Sequence, residues 1–350
     1  MTTTVQRPGR PGPSDPLPPV ERVHPGLWSI PVPLPNNSLR YVLVYLLETD
    51  RGPYLVDAGW NTNEAYEALE SGMSEAGCAI AETQGVLVTH IHPDHYGLAG
   101  RIREASGAWV ALHPADADLI HDRYDEPDDL LERVAAVLRR MGAPADELRE
   151  LQHAAMPLRP LVDAVLPDVL LEDEARPEVP GWNLKAIWTP VHSPGHLCFY
   201  EETRELMLSG DHVLPHITPN IPFHPQAGAN PLGDYLHSLD KLEPYDVTEV
   251  LPAHEHRFPD LRARLEGLRE HHRERFGEVL SALSGGPRSA WDIAAAMRWS
   301  RPWDDIAGFM RRAAVGEAMS HLQYLQLNGE VHVADGEPAL WSLVDSAPPD

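Results

Sequence analysis

GVLVTHIHPDHYG, Gly85 to Gly97, is the stretch on which the reading of this chain turns. Val86, Leu87 and Val88 form the continuous apolar run of a strand buried on both faces. Directly after it come His90, His92, Asp94 and His95, three imidazoles and one carboxylate within six positions. Core packing gives no reason to end a buried strand this way, whereas metal ligation requires convergent donors at a strand terminus. Alternate residues of an extended strand end share a face, so His90 and His92 can grip one ion while the next turn directs Asp94 and His95 at a second. Imidazole and carboxylate without thiolate suit zinc, with iron or manganese as the other metals compatible with the set.

Working outward, LWSIPV (27–32), YVLVYLL (41–47) and PYLVD (53–57) read as strands, with the polar TDRG (49–52) as a hairpin turn. Residues 63–76 and 98–106 read as helices and WVALH (109–113) as a strand. Farther on, LKAIW (184–188), LCFYE (197–201), ELMLSGD (205–211) and TEVLPAH (248–254) read as strands, with a helix over 232–242. Two β-rich halves with interleaved helices predict an α/β sandwich of mixed sheets covered by helices.

An H-x-H-x-D-H run after a hydrophobic strand resembles the signature of the metallo-β-lactamase superfamily, and the resemblance extends in order from Leu27 to Arg257. YLVDAGW resembles the family's strand and Asp-x-Gly turn, TPVHSPGH its second histidine stretch, LSGDHV its Gly-Asp turn and LPAHEH its last histidine. The resemblance implies an αββα sandwich and a ligand set of His90, His92 and His192 for one ion and Asp94, His95 and His254 for the other, bridged by Asp211. Asp57 would buttress the metal loop without binding metal, and His196 matches a histidine that is not a ligand. Tyr96 matches a turn position near the metals and is expected in the pocket, and Val191 replaces the customary glycine. His212, Leu214, His216 and His224 fall in a Pro-rich loop expected at the pocket mouth.

Two such ions, expected to be Zn2+, bring a bridging water to hydroxide near neutral pH, so no protein nucleophile is needed. The carbonyl would be polarised by one ion, with Asp94 orienting the attacking group. Within the family, the commonest lactamase class has Cys at the position of Asp211, and the diiron flavoprotein reductases have Glu at the position of His92. Hydrolysis of a thioester, of the hydroxyacylglutathione or acyl-CoA kind, fits best. A lactonase or esterase, then an endoribonuclease or phosphodiesterase, are the next readings, and an iron persulfide dioxygenase comes after them. Lactonases of the fold tend to have Tyr where this chain has Leu214, which favours an acyl substrate.

With 28 Lys+Arg against 53 Asp+Glu, the formal charge of −25 disfavours nucleic acid and anionic membranes as partners and points to a small-molecule substrate. Cys78 and Cys198 are too few for a disulfide framework, which suits a cytoplasmic protein. Residues 1–20, with six Pro, read as a disordered leader, 21–259 as the catalytic domain, 260–284 as a linking helix and 285–350 as a unit of winged-helix-like pattern. Within the catalytic domain, 114–181 reads as an acidic helical insert, with 17 acidic against 7 basic residues. Its helices are expected after Pro127 and from Pro144, forming either a solvated pair or a lid over the pocket. The terminal unit has 5 Arg and 9 acidic residues, so a packing or homodimer-forming role is expected of it rather than nucleic-acid binding.

Overall fold

The computed structural model describes residues 16–190 and 192–344. Most of the expected leader, Val191 and residues 345–350 lie outside that set. The strands are β1 (Glu21–His24), β2 (Leu27–Pro33), β3 (Tyr41–Leu47), β4 (Tyr54–Val56), β5 (Gly85–Leu87), β6 (Trp109–Leu112), β7 (Val169–Leu170), β8 (Leu184–Trp188), β9 (Leu197–Glu201), β10 (Leu206–Gly210), β11 (Glu249–Pro252), β12 (Val331–Ala334) and β13 (Leu340–Leu343). The helices are α1 (Asn63–Glu75), α2 (Pro93–Tyr96), α3 (Ala99–Ser106), α4 (Pro114–Ala117), α5 (Asp128–Met141), α6 (Leu148–His153), α7 (Pro231–Leu242), α8 (Leu261–Leu283), α9 (Ala290–Ala296) and α10 (Gly308–Leu327).

Side-chain alternation along β3 shows why these strands build layers. Val42, Val44 and Leu46 enter one apolar core while Tyr41, Leu43, Tyr45 and Leu47 enter another, so both faces of the strand are covered. The first sheet runs β1 to β7 in spatial order, antiparallel from β1 to β4 and parallel from β4 to β7. The second has the order β11-β10-β9-β8 and is parallel only between β10 and β11. Leu197 and Phe199 of β9 join Tyr45 and Leu47 between the sheets, while Cys198 and Tyr200 face the opposite way, toward α7 and α8. Helices α1 and α3 cover the far side of the first sheet through Leu69, Met73 and Ile102. The result is the expected αββα sandwich. β1 and β7 were absent from the sequence reading because their residues are half-exposed or exposed and carry no alternation.

The insert differs from both expectations held for it. Helix α5 begins after Pro127 and is closed by Gly142 in a left-handed C-cap, but α6 starts only at Leu148, after a turn at Pro144. Leu138, Met141 and Leu151 are buried against Val279, Leu283, Trp291 and Leu322, so the helical pair packs on α8, α9 and α10. Ser289 caps α9 through a reciprocal bond with Asp292, and the hairpin β12–β13 follows α10. No described helix is long and apolar enough to cross a membrane.

Candidate metal centre

β5 hydrogen-bonds as a strand only to Leu87, after which the chain is divided between neighbours: Thr89 N–H goes to Asp57 Oδ1 (2.8 Å) and Thr89 C=O accepts from Leu197 N–H of the second sheet (2.8 Å). This splayed end lets successive donors diverge toward two centres. His90 Nε2, His92 Nδ1 and His192 Nε2 converge, with His92 Nδ1 3.0 Å from the first and 2.9 Å from the last. A second group converges from Asp94, His95 and His254, with His254 Nε2 3.4 Å from Asp94 Oδ2 and His95 Nε2 3.7 Å from it. Asp211 stands between them. Its Oδ1 is 3.2 Å from His254 Nε2 and 3.5 Å from His95 Nε2, while its Oδ2 is 3.3 Å from His192 Nε2.

The donors fit metal ions on chemical grounds. His92 Nδ1, about 3 Å from each of the other two nitrogens, approaches the ~3.3 Å edge of a tetrahedron with ~2.0 Å metal–nitrogen bonds. His95 Nε2, His254 Nε2 and Asp211 Oδ1 are buried with no hydrogen-bond partner, a costly arrangement for polar atoms unless a cation completes it. The other nitrogen of each of four rings is tied. His90 Nδ1–H donates to Thr89 Oγ1 (3.1 Å), His95 Nδ1–H to Asp57 Oδ2 (2.8 Å), His192 Nδ1–H to Asn220 C=O (3.1 Å) and His254 Nδ1–H to Tyr41 C=O (2.9 Å). These bonds fix the tautomer that presents Nε2 as a lone pair.

Electrostatics separate the two groups. Burial, reinforced by the neighbouring imidazoles, holds His90 and His92 well below the usual histidine range, so both rings are neutral. Burial also works against a charge on His95 and His254, but Asp57, Asp94 and Asp211 outweigh it, raising His95 well above its ordinary value and His254 to about 10. A cation entering the second group therefore displaces protons.

His196 takes no part in either group. Its Nε2 accepts the Asp211 N–H (3.1 Å) and its Nδ1–H donates to Thr189 Oγ1 (2.9 Å), so its lone pair orients the Asp211 backbone. The approach depends on Gly210 at φ +51°, where an added Cβ would lie 2.6 Å from His196 Nε2. Asp57, at φ +65°, sits behind His95 as a buttress.

Tyr96 corrects the pocket expectation. It is fully buried, its hydroxyl accepts Val165 N–H (2.8 Å) and donates to Val165 C=O, and burial raises its pKa to about 12. His212 is also enclosed rather than at a mouth, 1 % exposed, packed 5.0 Å from Tyr235 and held down to about 3 by burial and His192. Leu214 is buried and its C=O accepts from Arg264. His216 is the more open member, with Nδ1 3.7 Å from Glu255 Oε2.

Asp116 escaped the sequence reading. Its buried carboxylate accepts Ile91 N–H (2.8 Å), Ser193 Oγ–H (2.6 Å) and Gly195 N–H (2.7 Å), fastening the His90–His92 loop to the one carrying His192. Its only local mark is an acidic residue in the first turn of α4, which does not announce a partner 79 positions away.

Residues 38–254 match the family model described as the metallo-beta-lactamase superfamily. A solved metallo-beta-lactamase family protein from Thermus thermophilus superposes with a TM-score of 0.80 at 32% identity, over 92% of this chain and 100% of its own. Over 274 residues, 76% of this chain and 82% of the relative, the sequence is 27% identical to the "Probable metallo-hydrolase YqjP" of Bacillus subtilis. It is 24% identical over 255 residues, 71% of this chain and 62% of the relative, to an atrochrysone carboxyl ACP thioesterase of Paecilomyces divaricatus. With its sandwich, its two donor groups and this match over most of its length, the chain belongs to the metallo-beta-lactamase superfamily.

Proposed function

We propose that the chain hydrolyses a thioester with two divalent metal ions, zinc first among them, held by His90, His92 and His192 on one side, Asp94, His95 and His254 on the other, and Asp211 between. The observation that carries this reading is the division of Asp211, one oxygen facing each group, which suits a shared ligand of two ions. When bound, the ions supply an activated water and an electrophile for the carbonyl.

The chain's own part is positioning. Asp57 and Thr89 hold the His90 and His95 rings, His196 holds the Asp211 backbone, and Asp116 keeps the two ligand loops in register. Asp94, 15 % exposed, is among the more open ligands and would orient the attacking water. A thioester is favoured over a lactone by Leu214 in place of a hydroxyl-bearing residue, and by the relative named as an acyl-carrier-protein thioesterase. Nucleic acid has no place in this reading, since the C-terminal unit has 5 Arg against 9 acidic residues.

Metal analysis combined with a turnover screen over thioesters, lactones, a phosphodiester and a β-lactam tests the proposal. About two equivalents of zinc and a thioester as the best substrate are expected. Lactone turnover ten or more times faster in kcat/KM, on the order of 1.4 kcal/mol, would replace the thioester. Iron with oxygen consumption would replace hydrolysis itself, and salt-sensitive binding to duplex RNA would promote the nuclease reading.

A further inference from the structure

Beside the first donor group, two arginines lack the carboxylate partners that their neighbours have. Arg133 takes Asp122 (2.8 Å) and Asp129 (3.1 Å), leaving neither for Arg123. Arg311 takes Glu147 (2.8 Å), whereas Arg312, the next residue, hydrogen-bonds the carbonyls of Leu151 (3.3 Å) and Gln152 (3.4 Å) through one nitrogen and lies 5.5 Å from the Phe309 ring centroid, with no carboxylate. Among the described residues neither Arg123 nor Arg312 has an ion pair, although the insert alone carries 17 acidic side chains.

Both arginines are tied, directly or through near neighbours in the chain, to segments that hold the donor groups. Arg123 donates through Nε to Gln226 Oε1 (2.9 Å), and the adjacent Tyr124 hydroxyl donates to Ile91 C=O (2.6 Å), between ligands His90 and His92. Arg312 lies one turn before Gly316 on α10, and Gly316 C=O accepts Phe223 N–H (2.9 Å) so closely that a Cβ at Gly316 would stand 2.9 Å from Pro222. That docked loop, 220–226, supplies the Asn220 carbonyl that holds His192. It also carries His224, whose Nδ1 accepts Gln226 N–H (3.2 Å), leaving Nε2–H as a donor. Burial, with Arg123, Arg312 and His192 adding to it, keeps His224 neutral with a pKa of about 3, and burial with Arg123 lowers Arg312 to about 10. Half-buried guanidinium groups that feel each other's charge, without a counter-ion, are costly unless a ligand supplies the negative charge.

We propose that Arg123 and Arg312, with the Nε2–H of His224, form an anion subsite beside His92 and His192 that takes a carboxylate or phosphate carried by the substrate, and that the C-terminal unit enters the active site through Arg312. The proposal rests on the hydrolase reading for its setting and narrows it to acyl substrates bearing an anionic group. The acidity of the chain does not oppose this, because local guanidinium groups set the field at contact distance.

The test compares metal-loaded wild type with Arg123→Met, Arg312→Met and Arg312→Lys. Four substrates are used: the acetyl and succinyl thioesters of N-acetylcysteamine, and acetyl-pantetheine with and without its 4′-phosphate. The succinyl arm reports a carboxylate and the phosphate arm a phosphate. Wild type should prefer one anionic member in kcat/KM, and either Met variant should reduce that anionic-to-neutral preference at least about tenfold, through KM, with metal content as in wild type. Arg312→Lys should restore part of the preference. Calorimetric titration with succinate and inorganic phosphate supplies a readout independent of turnover. Anion binding lost in both Met variants would keep the subsite even if no thioester were hydrolysed. Hydrolysis without anionic preference, or equal losses on neutral and anionic members, would overturn the subsite and leave the hydrolase reading standing.

Discussion

The metal centre and the seam where α5 and α6 meet α8, α9 and α10 are both buried, and they are built by opposite means. In the centre, polar side chains are positioned by directed bonds, as Asp57 holds Thr89 and His95 and as Asp116 holds Ile91, Ser193 and Gly195. In the seam, Leu138, Met141, Leu151, Val279, Leu283, Leu322 and Leu325 exclude water with no directed bond between them. The first region depends on the identity of each atom and the second on volume. Loss of one partner in the centre leaves a buried polar group uncompensated, whereas loss of one seam side chain leaves a cavity that neighbours can partly fill.

Asp211→Ala should have the largest effect, because it removes a ligand from both groups. Metal affinity should fall by more than the ~10–100-fold typical of outer partners, and turnover should be lost with it. Elemental analysis after dialysis and thioester kinetics measure both, and retention of both ions would refute the bridge.

In the seam, Leu322→Ala should cost about 2–5 kcal/mol of unfolding free energy by urea titration while the folded fraction keeps its metal. If metal were lost at the same rate as stability, the two regions would be one cooperative unit and the contrast would fail.

Asp116→Ala lies between these in kind, as it removes an acceptor that touches no ion. A metal affinity loss of about 10–100-fold with the ligand set intact is expected, and a chelator competition assay would read it. An unchanged affinity would show that the two ligand loops hold their register without this carboxylate.

The smallest effect concerns a buried pair of histidines where α8 meets α10. His272 Nδ1 and His321 Nε2 are 3.1 Å apart, and burial lowers the two rings to about 2 and about 3. Above the unfolded value near 6.5 both states are neutral and stability is complete. As pH falls from there toward 3, the unfolded chain takes up protons that the folded rings refuse. Stability then declines by up to about 1.4 kcal/mol per pH unit for each ring. His321→Gln should flatten the wild-type decline between pH 6 and 4 by about 1 kcal/mol per unit. Parallel curves would place the acid sensitivity elsewhere.

The same contrast explains what was legible from residue order. His90 to His95 announce a metal site because ligation demands residue identity at fixed local spacing, and β3 announces a strand because both faces are covered. Capping chemistry is equally local, with Asp260 accepting Ala263 N–H at the start of α8 and Ser289 accepting Asp292 N–H at the start of α9. Tyr96 was misplaced for the converse reason: its neighbour His95 fixed its position in the chain, but the direction of its ring depends on Val165, far away in sequence.

Sequence alone therefore determined the layered fold, the donor types and the loops that carry them, since these follow from short-range periodicity and coordination chemistry. Only the tertiary structure decided that Asp116 ties the two ligand loops, that α5 and α6 are a packing surface for the C-terminal unit, and that Gly316 of α10 docks the loop whose Asn220 carbonyl holds His192. Such pairings join positions separated by tens to nearly two hundred residues, and no local pattern encodes a partner that chain folding must bring into contact.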